Sequence, residues 1–226
     1  NIVTLGCKVN QYESQLMYEY MCEAGFAPVH DSKADITIIN SCTVTSTSDS
    51  KNRKVINRTR RENPDAIIVL TGCMPQAFAS DLTLFKECDI VLGNVSRAVL
   101  VPTIKEYMLK GEQIINIAPH ENHEKFETMR VNKFMERTRA FVKIEDGCNR
   151  FCSYCIIPYA RGRVRSKSID DLKAEVTVLA QQGYKEIVLV GINLLKNHFI
   201  KSAVHILIIL DIYHGVETQS YSTSHF

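Results

Sequence analysis

The chain has 226 residues, of which 45% are hydrophobic and 23% are charged, and its formal net charge is +2. This length accommodates one large or two modest domains, and the ordinary composition excludes a low-complexity or disordered chain. The near-neutral charge excludes a global field that would attract nucleic acid, so any such surface must come from local patches.

Cysteine is abundant, with eight in the chain. In a short secreted protein this number would suggest a disulfide framework. The chain is long for such a framework, no signal peptide is visible, and no apolar run approaches the length of a membrane span. We therefore expect no membrane partner, a cytoplasmic location, and cysteines that serve as metal ligands in a reducing environment.

Four short apolar runs, rich in β-branched residues, predict strands buried on both faces of a parallel sheet. They lie at residues 2–5, 36–40, 67–71 and 89–92. Helical patterns follow them at residues 11–24, 46–62, 76–86 and 97–109. This alternation of strand and helix predicts an α/β fold with an open parallel sheet.

A small residue and a cysteine follow each of the first three runs, as Gly6-Cys7, Ser41-Cys42 and Gly72-Cys73. Ligands bind at the carboxyl edge of such a sheet, so Cys7, Cys42 and Cys73 are predicted to meet there and hold a metal centre. A small residue before each cysteine lets the backbone approach a bulky inorganic cluster. The alternative is three buried structural cysteines. Cys22 and Cys88 are predicted to pack as small hydrophobic residues.

A second group of cysteines follows an apolar run at residues 140–145, with the spacing C-x3-C-x2-C at Cys148, Cys152 and Cys155. Three thiolates so close together can ligate one compact metal centre, and would leave one iron of a four-iron cubane without a protein ligand. The alternatives are a zinc site that lacks its fourth ligand, or reduced cysteines that are close by chance. The aromatic Tyr154 directly before the third cysteine favours the cluster.

The chain beyond this loop predicts a helix and then a strand. Ser168 and Asp171 are typical of a helix start, an apolar stripe follows at helical spacing, and Gly183 is suited to the helix end. The next strand is predicted at residues 186–191. Strand, loop, helix and strand form a βαβ unit, the opening of a parallel barrel.

Two groups of basic residues are candidates for contact with RNA. The first, aligned on one face of a predicted helix, is Lys51, Lys54, Arg58 and Arg61. The second, directly after the cysteine loop and beside Lys167, is Arg161, Arg163 and Arg165. Contacts with phosphates would make binding sensitive to salt. The alternative for the helical group is a face that is simply solvated.

The C-x3-C-x-aromatic-C pattern resembles the signature of radical S-adenosylmethionine (SAM) enzymes. The resemblance implies that Cys148, Cys152 and Cys155 are catalytic and hold a 4Fe–4S cluster whose fourth iron is chelated by SAM. It also implies that Tyr154 lies against the adenine of SAM. Reduction of SAM by this cluster would produce methionine and a 5′-deoxyadenosyl radical.

The two cysteine groups together resemble the methylthiotransferases, in which the N-terminal trio holds a second 4Fe–4S cluster that carries the sulfur. Residues 5–13, LGCKVNQYE, are most similar to the branch that acts on N6-threonylcarbamoyladenosine in tRNA. The implied partners are a tRNA anticodon stem-loop, an electron donor such as flavodoxin or ferredoxin, and a sulfur supply. The branches that act on isopentenyladenosine in tRNA or on a ribosomal protein are alternatives. So is a truncated fragment that binds clusters but is catalytically incompetent.

The predicted organisation has four parts. They are an N-terminal α/β domain at residues 1–118, a linker at 119–135, the start of a radical-SAM domain at 136–193, and an aberrant tail at 194–226. The expected fold is an open parallel sheet followed by an incomplete radical-SAM (βα) partial barrel. The resemblance ends at Asn193, which predicts a frameshift nearby and a second domain that is poorly packed.

Overall fold

Five parallel strands form the first sheet of the computed structural model, which describes residues 1–29, 33–95, 97–127, 129–132 and 139–192. In sheet order these strands are β1 (Ile2–Thr4), β2 (Ile36–Ser41), β3 (Ile67–Gly72), β4 (Ile90–Leu92) and β5 (Ile114–Asn116). All neighbours are parallel, and the order along the sheet follows the order along the chain. Their carboxyl ends therefore lie at one edge of the sheet, as the α/β prediction requires.

The helices between and after these strands are α1 (Lys8–Glu23), α2 (Ser46–Glu62), α3 (Cys73–Ala77) and α4 (Leu100–Lys110). The helix predicted at residues 76–86 is wrong, because α3 is short and a separate 3-10 turn spans Leu82–Phe85. The cause is local. The carboxylate of Asp81 accepts hydrogen bonds from the backbone nitrogen and the hydroxyl of Thr83, and such bonds compete with a continuous helix.

A second, two-stranded sheet pairs β6 (Arg139–Lys143) with β9 (Glu186–Val190) in parallel. The intervening chain forms β7 (Glu145–Asp146), α5 (Ile157–Arg161), β8 (Arg165–Ser166) and α6 (Ile169–Gln181), with β7 and β8 antiparallel. The side chain of Ser168 accepts a hydrogen bond from the backbone nitrogen of Asp171 and caps α6. The helix ends just before Gly183, whose φ of +89° favours glycine. The predicted βαβ unit is therefore confirmed.

Helix α1 lies between the two sheets and is buried on both sides. Met17 and Met21 belong to a core cluster with strands of the first sheet. Val9, Tyr12 and Leu16 belong to another cluster with β6, α6 and β9. The prediction of a poorly packed second domain is wrong for the described residues, because their core is shared with α1.

Segment 119–127 and residues 129–132 of the predicted linker contact both parts of the chain. The backbone nitrogen of Arg97 donates to Glu127, and that of Val131 donates to Glu175. The domain boundaries themselves stay a prediction, and residues 133–138 and the tail at 194–226 lie outside the described residues. Among the helices that the structure describes, none has the length and apolar character needed to cross a membrane.

Candidate metal centres

The N-terminal cysteines converge at the carboxyl edge of the first sheet. Cys7 is the N-cap residue of α1 just after β1, Cys42 directly follows β2, and Cys73 begins α3 directly after β3. Strands β1, β2 and β3 are neighbours in the sheet, so the three thiols share one rim. Cys42 and Cys73 are buried, whereas Cys7 is exposed. The rim is thus open to a ligand on one side.

Gly6 and Gly72 keep this rim free of side-chain atoms. Gly6 has a φ of +115°, and a Cβ atom added there would lie 2.7 Å from the Cβ and 3.0 Å from the Sγ of Cys42. Gly72 has a φ of +96°, and its added Cβ would lie 2.5 Å from the carbonyl oxygen of Ser41. Both positions therefore require glycine, for backbone conformation and for space.

Replacing Gly72 with alanine is expected to lower the free energy of unfolding more than replacing Gly25 with alanine. Both glycines have a similar positive φ, but a Cβ at Gly25 would meet nothing within 4 Å. The difference isolates crowding at the rim and should be about 1–3 kcal/mol. Urea unfolding of the two variants measures it. Equal destabilisation would show that the rim has room to accept a side chain.

Burial raises the pKa of the Cys73 thiol to about 12, and the positive charge of Arg161 opposes that increase. Cys42 and Cys7 also lie within electrostatic reach of this thiol. The thiolate is the form that binds metal. A metal centre at this rim must therefore displace the thiol proton of Cys73, which burial makes harder to remove. A nearby cation such as Arg161 stabilises the thiolate, which lowers the free energy needed to remove that proton.

The second cysteine group lies on the loop between β7 and α5. Cys148 is buried, and Cys152 and Cys155 are half-buried. The backbone nitrogen of Cys148 donates to the carbonyl of Gly162 at 3.0 Å, and that of Cys155 donates to the carbonyl of Cys152 at 2.9 Å. The loop is therefore held in place from within and by the end of α5.

Two aromatic side chains of this loop face outward. Tyr154 is 90% exposed, and Phe151 is partly exposed with a φ of +46°. A non-glycine residue in this left-handed region is strained, and such strain is concentrated at functional sites. An exposed tyrosine beside three cysteines is available to a planar ligand.

No three His, Cys, Asp or Glu side chains in the described ranges converge closely enough to hold a single metal ion. A four-iron cluster differs from a single ion because each thiolate binds a different iron atom. Its ligands are therefore spread more widely than those of one zinc ion. The lack of a single-ion site among the described residues is therefore compatible with a four-iron cluster.

A buried network of charged side chains, which the sequence analysis missed, connects the two groups. Glu13 of α1 accepts hydrogen bonds from Arg161 at 2.9 and 3.1 Å, and lies 2.8 Å from Arg97 and 3.0 Å from Lys143. Asp146 lies 3.1 Å from Lys143 and 3.2 Å from Arg161. All five residues are at least 95% buried. Burial alone would raise the pKa of each carboxyl group, but these cations hold both well below their ordinary values.

The predicted RNA-contacting residues divide into exposed and buried sets. Those on α2 are all exposed, as is Arg163. Arg161 is only 2% exposed, and the Arg165 side chain is covered by ion pairs with Glu124 and Asp146. The predictions of substrate contact for Arg161 and Arg165 are therefore wrong, because both guanidinium groups form ion pairs within the chain.

The two cysteines outside the trios differ from each other. Cys22 is exposed, so the prediction that it packs as a small hydrophobic residue is wrong, whereas Cys88 is buried as predicted.

A cleft of about 470 Å³ is lined by Gln76, close in sequence to Cys73, and by Phe151, next to Cys152. One wall includes Gln76 of α3, and the other includes Phe151, Tyr159 and Arg163. The Phe151 and Tyr159 rings form an edge-to-face pair, with centroids 6.2 Å apart. The guanidinium of Arg163 lies 5.2 Å from the Phe151 ring centroid. Aromatic and cationic walls of this kind suit a nucleobase.

Two family models match the chain. The model described as "Uncharacterized protein family UPF0004" matches residues 1–93, and the "Radical SAM superfamily" model matches residues 142–224. The second match runs 31 residues beyond Asn193 (224 − 193), into the segment where the sequence analysis found no resemblance.

Curated relatives align over most of the chain. The threonylcarbamoyladenosine tRNA methylthiotransferases MtaB of Aquifex aeolicus and Bacillus subtilis are 37% and 40% identical, each over 84% of this chain. The tRNA-2-methylthio-N(6)-dimethylallyladenosine synthase of Pelotomaculum thermopropionicum is 35% identical over 85% of this chain. The aligned part covers 47%, 42% and 44% of these relatives, so the chain spans less than half of their length.

A solved structure of the radical S-adenosylmethionine methyltransferase TsrM from Kitasatospora setae shares the fold. Its TM-score is 0.51 at 16% sequence identity, and the match covers 89% of this chain and 43% of that one. At this identity the likeness shows the fold alone.

Proposed function

We propose that this chain, which belongs to the radical-SAM methylthiotransferase family, supplies both cluster sites of an enzyme that modifies tRNA. The proposed reaction inserts sulfur and a methyl group on N6-threonylcarbamoyladenosine beside the anticodon. The observation that carries this proposal is the pair of cysteine trios, one at the carboxyl edge of the first sheet and one on the loop between β7 and α5. The MtaB relatives support the choice of substrate.

The residues at each site fit a 4Fe–4S cluster. Cys7, Cys42 and Cys73 would hold the first at a rim that Gly6 and Gly72 keep open. The buried cation Arg161 lies where it would offset thiolate charge. Each trio supplies three thiolates and would leave one iron open to another ligand.

The loop trio would hold the second cluster. Cys148, Cys152 and Cys155 would be its ligands, and the exposed ring of Tyr154 would lie against the adenine of SAM. When bound, the clusters and SAM would supply the radical and the sulfur, chemistry that amino acid side chains cannot perform. The chain itself would hold both clusters, and the cleft lined by Gln76, Phe151, Tyr159 and Arg163 would accept a base.

The exposed face of α2, formed by Lys51, Lys54, Arg58 and Arg61, is the proposed surface for the anticodon stem. Replacing Lys54 and Arg58 with glutamate should weaken tRNA binding at least tenfold in a gel-shift or filter assay, since phosphate contacts carry much of such affinity. Affinity of the unmodified chain should fall steeply as salt is raised. The residual affinity of the variant should depend less on salt.

A matched control changes the net charge equally at a different place. Lys105 and Lys110 are exposed on α4, and their replacement with glutamate should leave tRNA affinity within about twofold. If both double variants bind alike, the α2 face is an ordinary solvated surface and not an RNA contact.

The remaining partners follow from the proposed chemistry. Cluster reduction requires an electron donor such as flavodoxin or ferredoxin, and repeated turnover requires a sulfur supply. Both are available in a reducing cytoplasm, where we place the protein.

Three alternatives are tested together with this proposal. The first is a fragment that binds clusters without turnover. The relative named for dimethylallyladenosine supports isopentenyladenosine in tRNA as the substrate. A ribosomal protein is the third substrate to consider.

Mass spectrometry of tRNA nucleosides from a strain that lacks the gene tests these choices. We expect loss of the methylthio group from threonylcarbamoyladenosine, with isopentenyladenosine still methylthiolated. The reverse pattern would support the second substrate, and an unchanged tRNA profile would contradict a tRNA substrate. Restoration by the 226-residue chain alone would contradict the incompetent fragment.

A further inference from the structure

We propose that Arg161 is a positioning residue that fixes the two cysteine sites relative to each other and stabilises negative charge at the N-terminal site. This inference rests on the proposed function, because it assigns Arg161 a role toward a cluster held by Cys7, Cys42 and Cys73. Arg161 itself touches neither substrate nor reacting atoms in this account.

The backbone around Arg161 connects the first sheet to the loop that carries Cys148, Cys152 and Cys155. The carbonyl of Ala160 accepts a hydrogen bond from the Asn94 side chain, which follows β4 of the first sheet, at 3.2 Å. The carbonyl of Gly162 accepts the hydrogen bond from the backbone nitrogen of Cys148 at 3.0 Å. Three consecutive residues therefore join the first sheet to the loop that carries the second trio.

The side chain of Arg161 extends this connection to the N-terminal rim. Its Nη2 atom lies 3.2 Å from Oδ1 of Asn10, and the same Oδ1 atom lies 3.2 Å from Sγ of Cys7. The Asn10 amide donates to the carbonyl of Ser41, directly before Cys42, at 3.0 Å. Arg161 is thus one side chain away from Cys7 and from the peptide group that precedes Cys42.

The charge of Arg161 is also placed to act on the rim. Arg161 is a buried cation whose hydrogen bond to Asn10 brings it next to Cys7, whereas Arg97 pairs with both Glu13 and Glu127. A cluster with three thiolates is anionic and becomes more so on reduction. A buried positive charge close to it favours the reduced state.

The test replaces Arg161 with glutamine in a Cys152→Ala background, where only the N-terminal cluster is expected. An EPR-monitored redox titration should show the reduction equilibrium of this cluster shifted at least tenfold toward the oxidised form, about 59 mV for one electron. Arg161→Lys keeps the positive charge, and its reduction equilibrium should stay within twofold of that of the parent chain.

Arg97→Gln is the matched control, because it also removes a buried cation that pairs with Glu13. It should share the structural cost of Arg161→Gln but leave the reduction equilibrium within twofold. An equal shift in both variants would show a general effect of the network and would overturn the role of Arg161.

The position of the two clusters relative to each other is measured separately, in a chain that carries both of them. Spin–spin interaction between the reduced clusters should change in Arg161→Lys, because an ammonium cannot bind Asn10 and both oxygens of Glu13 as the guanidinium fork does. Arg97→Lys should retain the parent spectrum. Parent-like spectra and potentials in every Arg161 variant would overturn the inference while both clusters, and so the proposed function, remain.

If Arg161→Gln does not fold, the redox titration uses the double variant Glu13→Gln/Arg161→Gln instead. This variant removes both members of the ion pair, so neither is left buried without its partner. The shift should keep its direction but be smaller, because Arg161 is the member of the pair that reaches Cys7 through Asn10, and the loss of the Glu13 carboxylate partly offsets the loss of the cation. A parent chain that binds no iron at the N-terminal rim would overturn both the inference and the proposed function.

Discussion

Replacing Glu13 with alanine should lower the free energy of unfolding by about 3–5 kcal/mol, because it leaves buried cations without their shared partner. Arg97, Lys143 and Arg161 all pair with this carboxylate, which is fully buried. Chemical denaturation of the two proteins measures the difference.

Glu62→Ala is the control for the loss of a helical glutamate. Glu62 pairs with Arg58 on the exposed face of α2, and an exposed pair of this kind contributes at most about 1 kcal/mol. If the Glu13 variant is as stable as the Glu62 variant, the buried network does not stabilise the folded chain.

The same network makes stability depend on acid pH. The pKa values of Glu13 and Asp146 are lowered in the folded chain, so both carboxylates stabilise it above their unfolded pKa values of about 4. That contribution is lost as the pH falls below about 4 and toward the folded values. The glutamine variant at Glu13 should show a shallower decline over this range.

Replacing Cys152 with alanine should abolish SAM cleavage in the reconstituted protein, whereas replacing Cys42 should leave cleavage measurable. The reason is that Cys152 belongs to the trio proposed to present the open iron to SAM, and Cys42 belongs to the other trio. Chromatography of methionine and 5′-deoxyadenosine formed under reducing, anaerobic conditions measures this.

Cys22→Ala is the control for the loss of a thiol, because Cys22 is exposed on α1 outside both trios. It should cleave SAM like the parent. Equal cleavage by the Cys152 and Cys22 variants would contradict the assignment of the loop trio to SAM chemistry.

The strands and the cysteine rim were predictable because their signals are local. Each of the first three apolar runs is followed within two residues by a small residue and a cysteine, and parallel pairing brings those ends to one edge. The loop trio is local as well. Its spacing within eight residues required no knowledge of the rest of the fold.

The buried network was not predictable, because its partners are distant in sequence. Arg161 and Glu13 are 148 positions apart, and Tyr12 and Glu175 are 163 apart. A run of arginines after a loop is typical of an exposed surface, so Arg161 and Arg165 were assigned to RNA. One signal was present: Lys143 stands within the apolar run of β6, where an unpaired charge would be costly.

The helix predicted at residues 76–86 failed for a different reason. Its apolar spacing is compatible with a helix, but the carboxylate of Asp81 accepts hydrogen bonds from Thr83 and caps a separate 3-10 turn. Apolar spacing alone does not show this local competition.

The iron and sulfide content of the anaerobically reconstituted chain tests the central claim most directly. Two four-iron sites predict about eight irons and eight sulfides per chain, and about four of each in both the Cys42→Ala and the Cys152→Ala variants. About four irons in the parent, with no loss on replacing Cys42, would contradict a cluster at the N-terminal rim and with it the proposal of two cluster sites.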